Sequence, residues 1–117
     1  MSVGTFLTEA LRTLRMDSAT IDYPNESREL PDRFRGKIAF EATPCTGCGM
    51  CERHCAADAI VVDGDADEVT WAYDTARCMF CGQCVESCPT NALESTDEYD
   101  LADSDSDTLR ESHTFPR

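Results

Sequence analysis

Residues 45–55, CTGCGMCERHC, and residues 78–89, CMFCGQCVESCP, decide how this chain folds. Both read C-x2-C-x2-C-x3-C, and each cysteine returns 33 positions later: 45 at 78, 48 at 81, 51 at 84 and 55 at 88. The repeat is an internal duplication whose period is one supersecondary unit long. Three cysteines spaced by two residues put three thiolates on one tight loop, which can curl around a cubane and turn amide N–H groups toward its sulfurs. The fourth is expected to start a helix and point away. Gly47, Gly49 and Gly82 fall inside these loops, where a missing Cβ permits positive φ and close approach to a bound group.

Two other uses of cysteine fit less well. Structural zinc sites draw on ligand pairs and do not need three closely spaced cysteines twice over. Disulfides need an oxidising compartment and do not require a spacing repeated to the residue. Between the motifs, AIVV and EVTWAYD flank DGDAD, which predicts two short strands joined by a turn. That hairpin is expected to cover the metal sites, with Trp71, Phe80 and the run Ile60, Val61, Val62 excluding water. Arg53 and His54 lie between Cys51 and Cys55. A cation there would favour the more negative, reduced form of a nearby cluster, and a histidine could couple reduction to a proton.

Composition agrees with a chain that depends on metal. Val, Ile, Leu and Phe make up about 17% of the 117 residues, under the ~20% usual for a globular fold, and the formal charge is −13. Such a chain buries too little apolar surface to offset its entropy unless metal staples replace the missing core. The acidity excludes nucleic acid as a partner, since phosphate binding needs a basic face. No run approaches the ~18 apolar residues of a membrane-spanning helix, and the N-terminus lacks the basic and small-residue features of a secretory signal. A cytoplasmic location is expected. One Lys stands against nine Arg and thirteen Asp, a bias that resembles proteins of high-salt cytoplasm. Nothing resembles a nucleophile, an acid–base pair or a phosphate-binding loop, so no catalytic residue is expected.

Residues 43–94 resemble a bacterial-type two-[4Fe–4S] ferredoxin domain. The resemblance implies an α+β, pseudo-twofold, duplicated fold around two [4Fe–4S] clusters. In ferredoxins of this kind the fourth cysteine of each run ligates the other cluster. Carried onto this chain, Cys45, Cys48, Cys51 and Cys88 hold one cluster, and Cys78, Cys81, Cys84 and Cys55 hold the second. Ala56 follows Cys55 where the pattern has proline, as Pro89 does after Cys88.

The flanks suggest a subunit rather than a free carrier. Val3, Phe6, Leu7, Ala10, Leu11 and Leu14 form one apolar stripe, predicting an amphipathic docking helix over residues 1–16. Residues 17–42, with prolines at 24 and 31 and no helical period, predict an extended arm ordered by a neighbour. Residues 95–117 predict an acidic tail, disordered or laid along a partner. The order of helix, Tyr23-Pro24, Phe34-Arg35-Gly36 and the two cysteine runs is similar to the complex I subunit I family. Within that group EVTWAYDTARCMFCGQCVESCPTNAL resembles the short ferredoxin-like subunits of membrane-bound group 4 [NiFe] hydrogenases and formate hydrogenlyases. The resemblance implies a peripheral, non-catalytic electron-relay subunit on the cytoplasmic side of the membrane. Its partners would be hydrogenase small and large subunits or their complex I-like equivalents, with an external ferredoxin or formate dehydrogenase as donor or acceptor. A quinone-linked complex I subunit and a free soluble two-cluster ferredoxin are the alternatives.

Overall fold

The computed structural model describes residues 3–117. Its elements run α1 (Val3–Thr13), β1 (Ile38–Phe40), α2 (Met50–Arg53), β2 (Ile60–Gly64), β3 (Glu68–Asp74), α3 (Gln83–Glu86), β4 (Leu93–Ser95) and β5 (Arg110–Pro116). The cysteine-bearing part is a small α+β unit with short helices and small sheets. One sheet pairs β1 with β4 and the other runs β2-β3-β5, with every pairing antiparallel.

Strand β3 forms because its apolar residues alternate. Val69, Trp71 and Tyr73 are buried while Thr70, Ala72 and Asp74 are only partly covered, the period-two pattern of a half-buried strand. The turn to β2 closes where Asp65 N–H donates to Glu68 O at 3.0 Å. Ile38, Ala59, Ile60, Leu93 and Phe115 complete the core. Helices of four residues are far below the length at which a helix persists alone. Here α2 and α3 lie side by side, each held within a cysteine run.

The period of 33 is written into the backbone as well as the sequence. Gly49 and Gly82, the residues before α2 and α3, both lie in the left-handed region. So do Gly47 and Phe80, and Asp58 and Asn91. Asp74 N–H donates to Ala59 O at 2.8 Å, and Glu41 N–H donates to Ala92 O at 2.9 Å, the same bond with the halves exchanged. His54 Nδ1 and Ser87 Oγ, themselves 33 apart, meet at 2.7 Å.

Three sequence expectations need correction. The fourth cysteine does not start a helix: α2 and α3 each carry the third cysteine of their run, Cys51 and Cys84, and Cys55 and Cys88 come two residues after the helices end. The acidic tail is not disordered to its end, because Arg110–Pro116 pairs with β3 along all seven residues. Phe115, opposite Val69, buries itself there. The arm is not ordered only by a neighbour, since its last residues pack on this chain. Gly36 N–H donates to Thr96 O at 2.8 Å and Lys37 N–H to Glu98 O at 2.9 Å, and the Phe34 and Tyr23 rings each lie 6.0 Å from Tyr99. Helix α1 forms as predicted, with none of its residues buried. No described helix is long and apolar enough to cross a membrane.

Candidate metal centres

Two small cavities open beside the short helices. The first is lined by Cys45, Cys48, Cys51 and Cys88, under Phe40, Val62, Trp71 and Leu93. The second is lined by Cys55, Cys78, Cys81 and Cys84, under Ile38, Ile60 and Tyr73. Each cavity therefore takes three thiols from one loop and the fourth from the other run, because Cys55 and Cys88, two residues past the short helices, reach across to the opposite half. All eight thiols are free. Among the described residues no three His, Cys, Asp or Glu side chains converge as they would on one metal ion. Thiols standing around a cavity, four to each, suit a cluster rather than a single zinc.

Their chemistry fits the same reading. Burial pushes the Cys84 thiol up to about 11 and raises that of Cys51, so a bare thiolate is disfavoured inside and iron must displace the proton. Cys88 goes the other way. Burial raises it, but the N–H groups around Ala92 and the Thr90 hydroxyl outweigh that and lower it overall. Ala59 N–H donates to Cys55 Sγ and Ala92 N–H to Cys88 Sγ, each at 3.3 Å, again 33 residues apart. Phe80 N–H donates to Cys78 Sγ at 3.3 Å. Amide bonds of this kind orient cluster ligands and hold their negative charge.

Gly47 takes positive φ and a Cβ on it would lie 2.7 Å from the Val69 side chain, so the first loop needs glycine for conformation and for space. Its repeat mate Phe80 adopts the same region with a full side chain. His54 lines the second cavity. Arg53, expected beside a cluster, is exposed and lines neither. The cation that does reach a cysteine loop is Arg35, whose guanidinium donates to Cys81 O at 2.6 Å. Forty-six positions separate the two residues, and the Phe34-Arg35-Gly36 run was the only hint. Gly36 makes that approach possible: a Cβ there would sit 2.3 Å from Glu98 O and 2.7 Å from Thr96 O.

Residues 44–92 match the 4Fe-4S dicluster domain. The chain carries a dicluster domain of this family. Its eight cysteines serve two [4Fe–4S] clusters. Beyond the domain, the chain is 41% identical over 114 residues to NAD(P)H-quinone oxidoreductase subunit I of Leptolyngbya boryana, covering 92% of this chain and 59% of that one. It is 45% identical over 58 residues to the chloroplastic subunit I of Hordeum vulgare, covering 50% of this chain and 32% of that one. Among solved structures, it resembles a chain of the membrane-bound sulfane sulfur reductase, an archaeal respiratory membrane complex. There the TM-score is 0.63 at 31% identity, covering 93% of this chain and 59% of that one. The chain thus spans between 32% and 59% of the length of these relatives.

Proposed function

We propose that this protein is a non-catalytic electron-relay subunit of a multisubunit, membrane-associated redox complex. The observation that carries the reading is the crossed lining of the two cavities. Cys45, Cys48, Cys51 and Cys88 would hold one [4Fe–4S] cluster, and Cys78, Cys81, Cys84 and Cys55 the other. Bound there, the clusters supply reversible one-electron chemistry. Cys48 and Cys81 remain exposed, so each centre presents one ligand to an approaching protein. Phe40, Trp71 and Tyr73 close the inner walls against water, and the loop and strand amides hold the ligand sulfurs in place.

Helix α1 supports a subunit over a free carrier. Val3 and Leu14 are 83% and 82% exposed and Phe6 and Leu7 more than half exposed, a contiguous apolar face unusual on a free monomer. The printed names of the relatives, a quinone oxidoreductase subunit I and a respiratory membrane complex, support the complex I-related side of the sequence resemblance more directly than its hydrogenase side. In this reading the protein sits peripherally on the cytoplasmic side. Residues 1–16 dock on a partner subunit, and residues 43–94 form the cluster-bearing domain.

The test is purification of the full chain from its native source under anaerobic conditions. Co-purifying subunits, about eight iron atoms per chain and two clusters reducible by a low-potential donor are expected. A monomeric, freely soluble iron–sulfur protein would overturn the subunit reading, and clusters that cannot be reduced would overturn the relay. A [NiFe] subunit among the partners would place the complex with the hydrogenases. A quinone-site partner without nickel would place it with complex I.

A further inference from the structure

Strand β3 carries two buried polar atoms with no partner in full hydrogen-bond geometry, Trp71 Nε1 and the Tyr73 hydroxyl oxygen. Buried donors are rarely left so, because nothing replaces the water they lose. The two residues are 1% and 2% exposed and lie two positions apart, hence on one face of the strand. They nevertheless face different centres: Trp71 lines the first cavity and Tyr73 the second.

Within the first cavity the indole bears on Cys51, and within the second the phenol lies beside Cys78, neither in full hydrogen-bond geometry. The indole plane is fixed by stacking on Phe40, with ring centres 4.2 Å apart and planes within 6°, and by Tyr73 on its other neighbour at 5.7 Å. The repeat shows that these donors are additions to a shared frame. Trp71 is the mate of Ile38 and Tyr73 the mate of Phe40, so at each equivalent position the other half places a side chain that cannot donate.

We propose that the Trp71 indole N–H and the Tyr73 hydroxyl donate hydrogen bonds to the iron-bound sulfurs of Cys51 and Cys78, one donor for each [4Fe–4S] cluster, and so set the two cluster potentials separately. This rests on the ligand assignment above. A donor at a ligand sulfur withdraws charge and favours the more negative, reduced state, which raises the potential. As an indole and a phenol differ in donor strength and point at different cysteines, the duplication yields two unequal sites from one strand.

The test uses the full chain loaded with iron and sulfide under anaerobic conditions. Loading of about eight iron atoms checks the assignment on its own. Tyr73→Phe is expected to lower the potential of one cluster in an EPR-monitored redox titration and Trp71→Phe that of the other, with the double variant lowering both. In each single variant the iron–cysteine stretching bands in resonance Raman spectra should move to higher frequency, a change that loss of packing alone would not produce. A loaded variant with unchanged potentials and unchanged bands overturns the donor role and leaves the assignment standing. So does a Tyr73→Phe chain that fails to load, since a tuning donor is not needed for assembly. Trp71 is the only tryptophan, so a 15N-indole label gives a second measurement on the unaltered protein. A 15N hyperfine coupling in the reduced state supports the bond, and its absence overturns the Trp71 half whether or not Trp71→Phe loads.

Discussion

Strands β1 and β3 hold equivalent places 33 residues apart, Ile38–Phe40 in one half and residues 71–73 in the other. Yet β1 is paired on one edge only, with β4, whereas β3 lies between β2 and β5. The cavities above them repeat the contrast. Each takes four thiols in the same arrangement, but one is roofed by Phe40 and Trp71 and the other by Tyr73 and Ile38. Among the described residues, only the second cysteine loop is held by an arginine from the arm. The duplicated part supplies ligands and backbone, and whatever distinguishes the two centres comes from unrepeated side chains and from the two added segments. A symmetric pair would have two interchangeable centres. This chain has two that can differ.

The largest expected effect tests what the halves share. Cys88→Ala should cut iron from about eight to about four atoms per chain, and Cys55→Ala should do the same. The crossing is decided by pairs. Adding Cys45→Ala to Cys88→Ala should cost no further iron, because both remove ligands of one cluster. Adding Cys78→Ala to Cys88→Ala should empty both. If each run instead held its own cluster, the two double variants would exchange behaviour in the same iron assay.

The shared part was the legible part. Cysteine spacing led to two repeated thiol loops and the alternation in EVTWAYD to the hairpin, because both signals are local, whereas the crossed grouping of the cysteines came from the ferredoxin resemblance. Strand β5 was not legible. RESHTFP carries one large apolar residue, Phe115, and its ladder comes from β3 rather than from any propensity of its own. Arg35 escaped for a similar reason, its partner being supplied by tertiary folding. Tyr73 was legible in principle, since laying one half over the other places its hydroxyl where Phe40 has none. The apolar stripe of α1 led to a helix because that signal too is local, and its large apolar residues stand exposed on this chain.

Two substitutions probe the additions that make the halves unequal. Phe115 is buried against Phe40, with ring centres 5.7 Å apart, so it ties β5 to the roof of the first cavity. Phe115→Ala should destabilise the loaded chain by about 3 kcal/mol, seen as loss of visible cluster absorption at lower denaturant. An unchanged midpoint would mean that β5 is held independently of its aromatic. Gly36→Ala acts on the arm, where the new methyl would press on the Glu98 and Thr96 carbonyls. The expected cost is about 1–3 kcal/mol, and proteolysis between residues 17 and 36 should accelerate.

The smallest effect concerns an ion pair that joins the unequal partners. Lys37, just before β1, binds the Glu111 carboxylate on β5, linking the singly paired strand to the segment that covers its mate. That bond raises the Lys37 pKa above its ordinary 10.5, against a smaller opposing effect of burial. A lysine raised on folding stabilises the native state fully below its unfolded pKa, and the contribution fades as pH climbs through the folded one. Lys37→Met should therefore lower stability by less than ~1 kcal/mol at neutral pH. The gap between the two proteins should stay constant up to about pH 10 and close above it. Denaturation midpoints of the loaded chains across that range provide the measurement. A gap that persists in strong alkali would mean that Lys37 acts through packing of its aliphatic stem, and the link between β1 and β5 would then be apolar rather than ionic.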